Sequence, residues 1–318
     1  MRLMFSRAIT ARPALRGHCK DHPMKIQLIL PLAALGIALS ACDDSSSNNR
    51  EAVSIQFDAK LAGQALTCNG LYPSSVGQPA SDYKLVEYRW YASDFHMRDA
   101  SDNQYALELD DRGDGLQYDS GEHNVALLGL VSGCDTGAET PPSNFTVDAQ
   151  VAPGDYTQLC FTLGVPFALN HSDVTASDTP SPLNLPAMNW NWRGGRKFMR
   201  FDGFGDPNGV NQAFNLHLGS TGCDSASMTE APSQACSAPN TPTYCLNLTP
   251  SNRYNPTVSV DPARLMSATD ITSNTEGTAA GCMSFIDDPE CADIMPKLGL
   301  AYRLNGQTVP PQDGMLFQ

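Results

Sequence analysis

The sequence predicts an all-β fold, a disulfide-bonded β-sandwich with long loops and little helix. Three observations point there. Short segments alternate apolar and polar residues, and clusters of Gly, Pro, Asn and Asp separate nearly all of them. No long stretch carries the 3.6-residue period of a helix. Beyond Cys42 stand Cys68, Cys134, Cys160, Cys223, Cys236, Cys245, Cys282 and Cys291, an even set that reads as bridges in an oxidising compartment.

The clearest strand is residues 54–61, where Ile55, Phe57, Ala59 and Leu61 share one face. Further strands are expected over 85–95, 147–151, 156–165, 197–201, 213–218 and 244–248. A short helix fits near 262–268, with Asp261 as cap and Pro262 in the first turn. Long connections run over 168–189 and 224–243, and such loops commonly carry the binding sites of an extracytoplasmic sandwich. Residues 53–268 read as the domain. Residues 269–318, rich in turns and holding the last cysteine pair, read as an extension packed on it. Spacing suggests local bridges between Cys223 and Cys236 and between Cys282 and Cys291, while no Cys-x-x-Cys pair supports a redox dithiol or zinc ribbon.

Residues 1–41 read as leader. The apolar run 26–39 is too short to span a bilayer, which takes about 20 residues. Lys25 precedes it and small residues close it, the layout of a secretory signal, with Met24 as the expected start. Leu39-Ser40-Ala41-Cys42 resembles the lipobox of bacterial lipoproteins, which implies lipid on Cys42 and an anchor at a periplasm-facing or surface membrane leaflet. Residues 42–52 are polar and read as a flexible tether. Loss of the leader takes the net charge from −14 to about −19, which argues against nucleic acid.

Four histidines follow the leader. His217 alternates with Leu216 and Leu218 and is expected to project from the polar face beside Asn215, and His171 stands at the mouth of the first long loop. Two imidazoles brought together would suit copper or zinc. Taken singly, each also reads as a surface or hydrogen-bonded histidine. Trp190 and Trp192 lie two apart, so an extended segment would point both indoles the same way, toward solvent and a ligand or into the core. The acidic runs 110–115 and 202–209 would suit calcium or serve as acidic turns. Hydrolase elbows, His-Glu-x-x-His pairs and phosphate loops are absent, so the chain does not read as an enzyme.

Taken together, several segments resemble the MbnP-like family, also called metallo-mystery-pair four-Cys-motif proteins. They are Ile55-Gln56-Phe57, the stretch around Cys68 and Tyr72, Tyr88-Arg89-Trp90-Tyr91-Ala92-Ser93-Asp94 and Gly133-Cys134. Next come Phe161-Thr162-Leu163-Gly164-Val165-Pro166, Asn170-His171 and Met188-Asn189-Trp190-Asn191-Trp192 with Lys197-Phe198. His217-Leu218-Gly219-Ser220-Thr221-Gly222-Cys223, Cys236 and Pro239-Asn240 complete the series. The resemblance implies a copper-handling protein whose partner is a di-haem enzyme related to MauG, MbnH and cytochrome c peroxidases. That partner would oxidise Trp192, or else Trp190, to kynurenine. It implies His171 and His217 as protein ligands, with His96 a third. The alternative is a structural or interaction lipoprotein with no metal role. Where the family usually has a tyrosine after the glycines, this chain has Arg196, and it carries more cysteines than four.

Overall fold

The computed structural model describes residues 49–131, 133 and 142–318. The leader, Cys42 and Cys134 lie outside them. Numbered in chain order, the strands that build the core and the site are β1 (Glu51–Leu61), β2 (Ser81–Asp99), β3 (Asn124–Leu130), β4 (Thr146–Val151) and β5 (Tyr156–Leu163). A one-turn helix α1 (Phe167–Asn170) follows, then β6 (Asn189–Asn191), β7 (Gly195–Arg196), β8 (Met199–Gly205) and β9 (Asn215–Leu218). The last are β10 (Thr243–Asn247), β11 (Thr257–Val260) and β12 (Gly281–Cys282). No helix among the described residues is long and apolar enough to cross a membrane.

Two sheets form the sandwich. One runs β11-β1-β4 and ends on the short strand Glu108–Leu109; the other runs β10-β5-β2-β8-β9-β12. Glu51 and Ala52, expected in the tether, already pair with Val151 and Gln150. Alternation in β1 buries Val53, Ile55, Phe57 and Leu61. Phe57 crosses to the other sheet, meeting Trp90 of β2 and Phe161 of β5 edge-on, with centroids 6.0 and 5.6 Å apart. Burying a ring of this size contributes about 1.5–3 kcal/mol. β3 was not expected, because its seven residues are all buried and so do not alternate. Asp261 caps a 3-10 turn at Pro262–Arg264 by accepting from the Ala263 N–H, shorter than the helix expected there.

Three disulfides join described cysteines: Cys160–Cys245, Cys223–Cys236 and Cys282–Cys291. Cys68 is also disulfide-bonded. Each bridge typically contributes about 2–4 kcal/mol. Residues 269–318 reach the core through Leu298, Tyr302, Leu316 and Phe317, all buried. The backbone of Gln318 exchanges two hydrogen bonds with Ser259.

Within this segment Asp288 is buried and accepts the Glu290 N–H, and burial, with Glu290 beside it, pushes its carboxyl up to about 6. Burial also pulls Glu290 upward, but hydrogen bonds from Thr275 outweigh it and hold Glu290 below its ordinary value. Native Asp288 therefore keeps a proton that the unfolded chain has released above about pH 4. Its contribution to stability is complete below that value and is lost as the pH rises through about 6. Urea unfolding across this window is expected to show that loss in the wild type and to show it flattened in Asp288→Asn.

Candidate functional site

The site begins with a buried cation. Arg196 ends β7 with no exposed surface. Its guanidinium donates to the carbonyls of Leu169, Asn170, Ser172 and Leu183 and to Ser172 Oγ, at 2.6 to 3.3 Å. Every acceptor is an oxygen of the loop 169–183 and none is a carboxylate. The Arg196 side chain thus helps to fasten the first long loop to the β6–β7 hairpin. A methylene stem with a planar five-donor fork is the residue type able to do this.

The same contact orients His171. Arg196 N–H donates to Asn170 Oδ1 at 2.7 Å, which turns the Asn170 amide so that Nδ2 faces His171 Nε2 at 3.1 Å and Ser220 Oγ at 3.3 Å. Gly195 is required here. Its φ is +75°, and a Cβ would stand 2.5 Å from Asn170 Oδ1. His171 Nδ1 lies 3.0 Å from the Trp192 carbonyl, which can only accept. The proton therefore sits on Nδ1, and Nε2 keeps its lone pair. Burial holds the imidazole below its ordinary pKa, opposed by the hydrogen bond to Trp192. Its Nε2 is 3.7 Å from Cys236 Sγ.

The three tryptophans divide clearly. Trp90 is the core indole, fully buried, whereas Trp190 and Trp192 are both half-buried. Trp190 lies in β6 against Gly219, where a Cβ would come within 2.6 Å of the ring, and it stacks on Phe285 at 6.0 Å. With Arg193, Cys223 and Met228 it lines a cleft of about 180 Å³. Phe285 is 56% exposed, Ile286 51% and Met228 48%, among the most exposed large apolar side chains described. Trp192 opens the turn 192–194, so the strand alternation ends at Asn191 and the argument for a shared indole face ends with it.

His217 projects from the polar face of β9, as alternation predicts, and its Nε2 donates to Asp202 Oδ1 at 2.6 Å. Asp202 also accepts from Arg200 Nε at 2.7 Å. Burial raises the Asp202 pKa, but His217 and Arg200 outweigh it and hold the carboxyl below its ordinary range. A metal at His217 would thus approach Nδ1, with Asp202 fixing the ring from behind. His96 faces Cys160 of β5 in register; its Nδ1 donates to the Asp94 carbonyl, and its buried Nε2 has no hydrogen-bond partner among the described residues.

Among the described residues, one group of three His, Cys, Asp or Glu ligand atoms lies within 4.8 Å of one another: His171, Cys223 and Cys236. Neither His217 nor His96 joins it. The two sulfurs form a disulfide and offer no thiolate. Among the described residues, neither acidic run gathers three such ligand atoms. Asp111, Asp114 and Asp206 instead accept backbone N–H groups of their own turns, and Asp202 is committed to His217 and Arg200. Of the residues that hold this site, Asn170 was visible only as part of a motif. The role of Asp202 depends on strand register, and Phe285 and Met228 carry no sequence signal.

The sequence model of the MbnP family matches residues 50–284. The chain belongs to the MbnP family. Among solved structures, MbnP from Methylosinus trichosporium superposes with a TM-score of 0.69 at 27% identity, covering 85% of this chain and 98% of that one. Among curated protein sequences there is no match. In this MbnP-family protein the family match ends at residue 284, so Phe285, which stacks on Trp190, lies just beyond it.

Proposed function

We propose that the protein is an extracytoplasmic copper-binding lipoprotein, anchored at Cys42 and matured when a di-haem partner enzyme oxidises Trp192 to kynurenine. It acts as substrate and copper holder, not as a catalyst. The observation that carries this reading is the placement of Trp190 and Trp192 on a half-exposed hairpin next to a neutral, oriented His171. A core role would bury both indoles as it buries Trp90. Trp190 is already packed between Gly219 and Phe285, so Trp192 is the better target.

The donor types suit a copper ion. His171 supplies a lone pair at Nε2, and His217 could supply Nδ1. Kynurenine would add an aryl amine and a carbonyl when formed. The partner would dock on the apolar patch of Met228, Phe285 and Ile286, with Arg193 at its rim. That patch is also what favours the alternative, an interaction lipoprotein with no metal.

Tandem mass spectrometry of the peptide holding both tryptophans, after co-expression with a di-haem enzyme related to MauG and MbnH, tests the proposal. Kynurenine at Trp192, followed by copper binding to the oxidised protein, is the expected result. Unmodified indoles beside a competent partner, with no copper bound, would leave the interaction reading.

A further inference from the structure

The Cys223–Cys236 bridge differs in its surroundings from Cys282–Cys291, whose cysteines are both fully buried. Cys223 is half-exposed and lines the cleft beside Trp190, so a small thiol can reach it. Cys236 is 5% exposed and faces His171 Nε2 at 3.7 Å. We propose that reduction of Cys223–Cys236 by a dithiol of the cell envelope converts His171, Cys223 and Cys236 into a three-coordinate site for Cu(I). The proposal rests on the copper reading only for the choice of metal and is independent of kynurenine.

The geometry is set in advance. The three ligand atoms already lie within 4.8 Å of one another. The Arg196–Asn170–His171 chain fixes the tautomer that leaves Nε2 unprotonated. Asn170 Nδ2 gives up its contact with Nε2 when a metal arrives and keeps Ser220 Oγ. What the oxidised form lacks is charge on sulfur. A disulfide is a poor ligand, whereas two thiolates and an imidazole form a soft set that selects Cu(I).

The redox step balances. A thiolate of the reductant attacks the half-exposed Cys223 sulfur, the S–S bond breaks, and a mixed disulfide forms. The reductant's second thiolate resolves it, so two electrons pass to the protein, two cysteine thiols appear, and the dithiol becomes a disulfide. Cu(I) then displaces one proton from each thiol, while neutral His171 has none to lose. The metal does not change oxidation state.

The test titrates Cu(I) into the mature, tether-to-terminus protein before and after dithiol treatment, against a chromophoric Cu(I) chelator. In protein whose tryptophans are unmodified, one Cu(I) per chain that the disulfide form does not hold is expected after reduction, with thiolate-to-copper absorption in the ultraviolet, because His171 Nε2 can serve one copper at a time. X-ray absorption should report two sulfurs and one nitrogen. The increment should vanish in the double variant Cys223→Ser/Cys236→Ser and persist in Cys160→Ser/Cys245→Ser. His171→Ala should weaken it about a hundredfold or more, since even outer-shell partners cost 10–100-fold. Circular dichroism checks the fold of each variant, and the wild-type sulfur and nitrogen count stands if one fails to fold. An unchanged copper number on reduction would overturn the proposal, as would an increment that survives loss of both Cys223 and Cys236. Copper bound by the oxidised protein is read separately, so failure here leaves the proposed function standing.

Discussion

Replacing Arg196 with methionine is expected to destabilise the protein by about 3 kcal/mol and to loosen the loop 169–183 from the hairpin. Methionine fills the space of the stem but leaves the carbonyls of Leu169, Asn170, Ser172 and Leu183 without their donor. Each buried acceptor left unpaired costs about 1 kcal/mol or more. Relief from desolvating a cation offsets part of that sum. Lysine should fall between, because one ammonium cannot follow acceptors spread across a planar fork. Urea unfolding gives the magnitude, and hydrogen exchange in 169–183 shows where the change lies. A loss below about 1 kcal/mol, with exchange unchanged, would mean that the loop is held by its apolar contacts instead.

Phe317→Ala should cost as much or more, about 3–5 kcal/mol, because it opens a cavity between the sheets. Phe317 meets Phe161 and Tyr244 at 5.1 and 4.8 Å and Phe57 at 6.3 Å, and it is 2% exposed. Phe317→Leu should recover part of the loss by refilling volume. Thermal denaturation of the two variants compares them directly. Equal destabilisation by both would shift the explanation from packing to the backbone pairing of Ser259 with Gln318.

Strands that alternate could be read directly. Residues 54–61 lie inside β1 and residues 147–151 lie inside β4, because one face of each strand is polar. β3 escaped, since Asn124, its polar member, is itself buried with its amide donating to the Leu107 carbonyl. The extension joined the core through Leu316 and Phe317, two adjacent residues after a long turn-rich stretch, which no local period could announce. At the site, the histidines and tryptophans were visible as residue types. Their surroundings were not. That His217 belongs to Asp202 follows from the pairing of β8 with β9, and that His171 belongs to Cys236 follows from two loops meeting. Arg196 looked like a lost tyrosine and is a fastener.

The Cys160–Cys245 bridge has one more consequence. Its cysteines face each other across β5 and β10, in register from Gln158 with Asn247 to Thr162 with Thr243. A slip of one residue would send the two sulfurs to opposite faces of the sheet. The bond is therefore a permanent record of correct pairing, written only after two strands 85 positions apart in the chain have found their alignment. Under oxidising conditions, molecules that close this bridge are removed from the pool still searching, and those that slip keep thiols open to exchange.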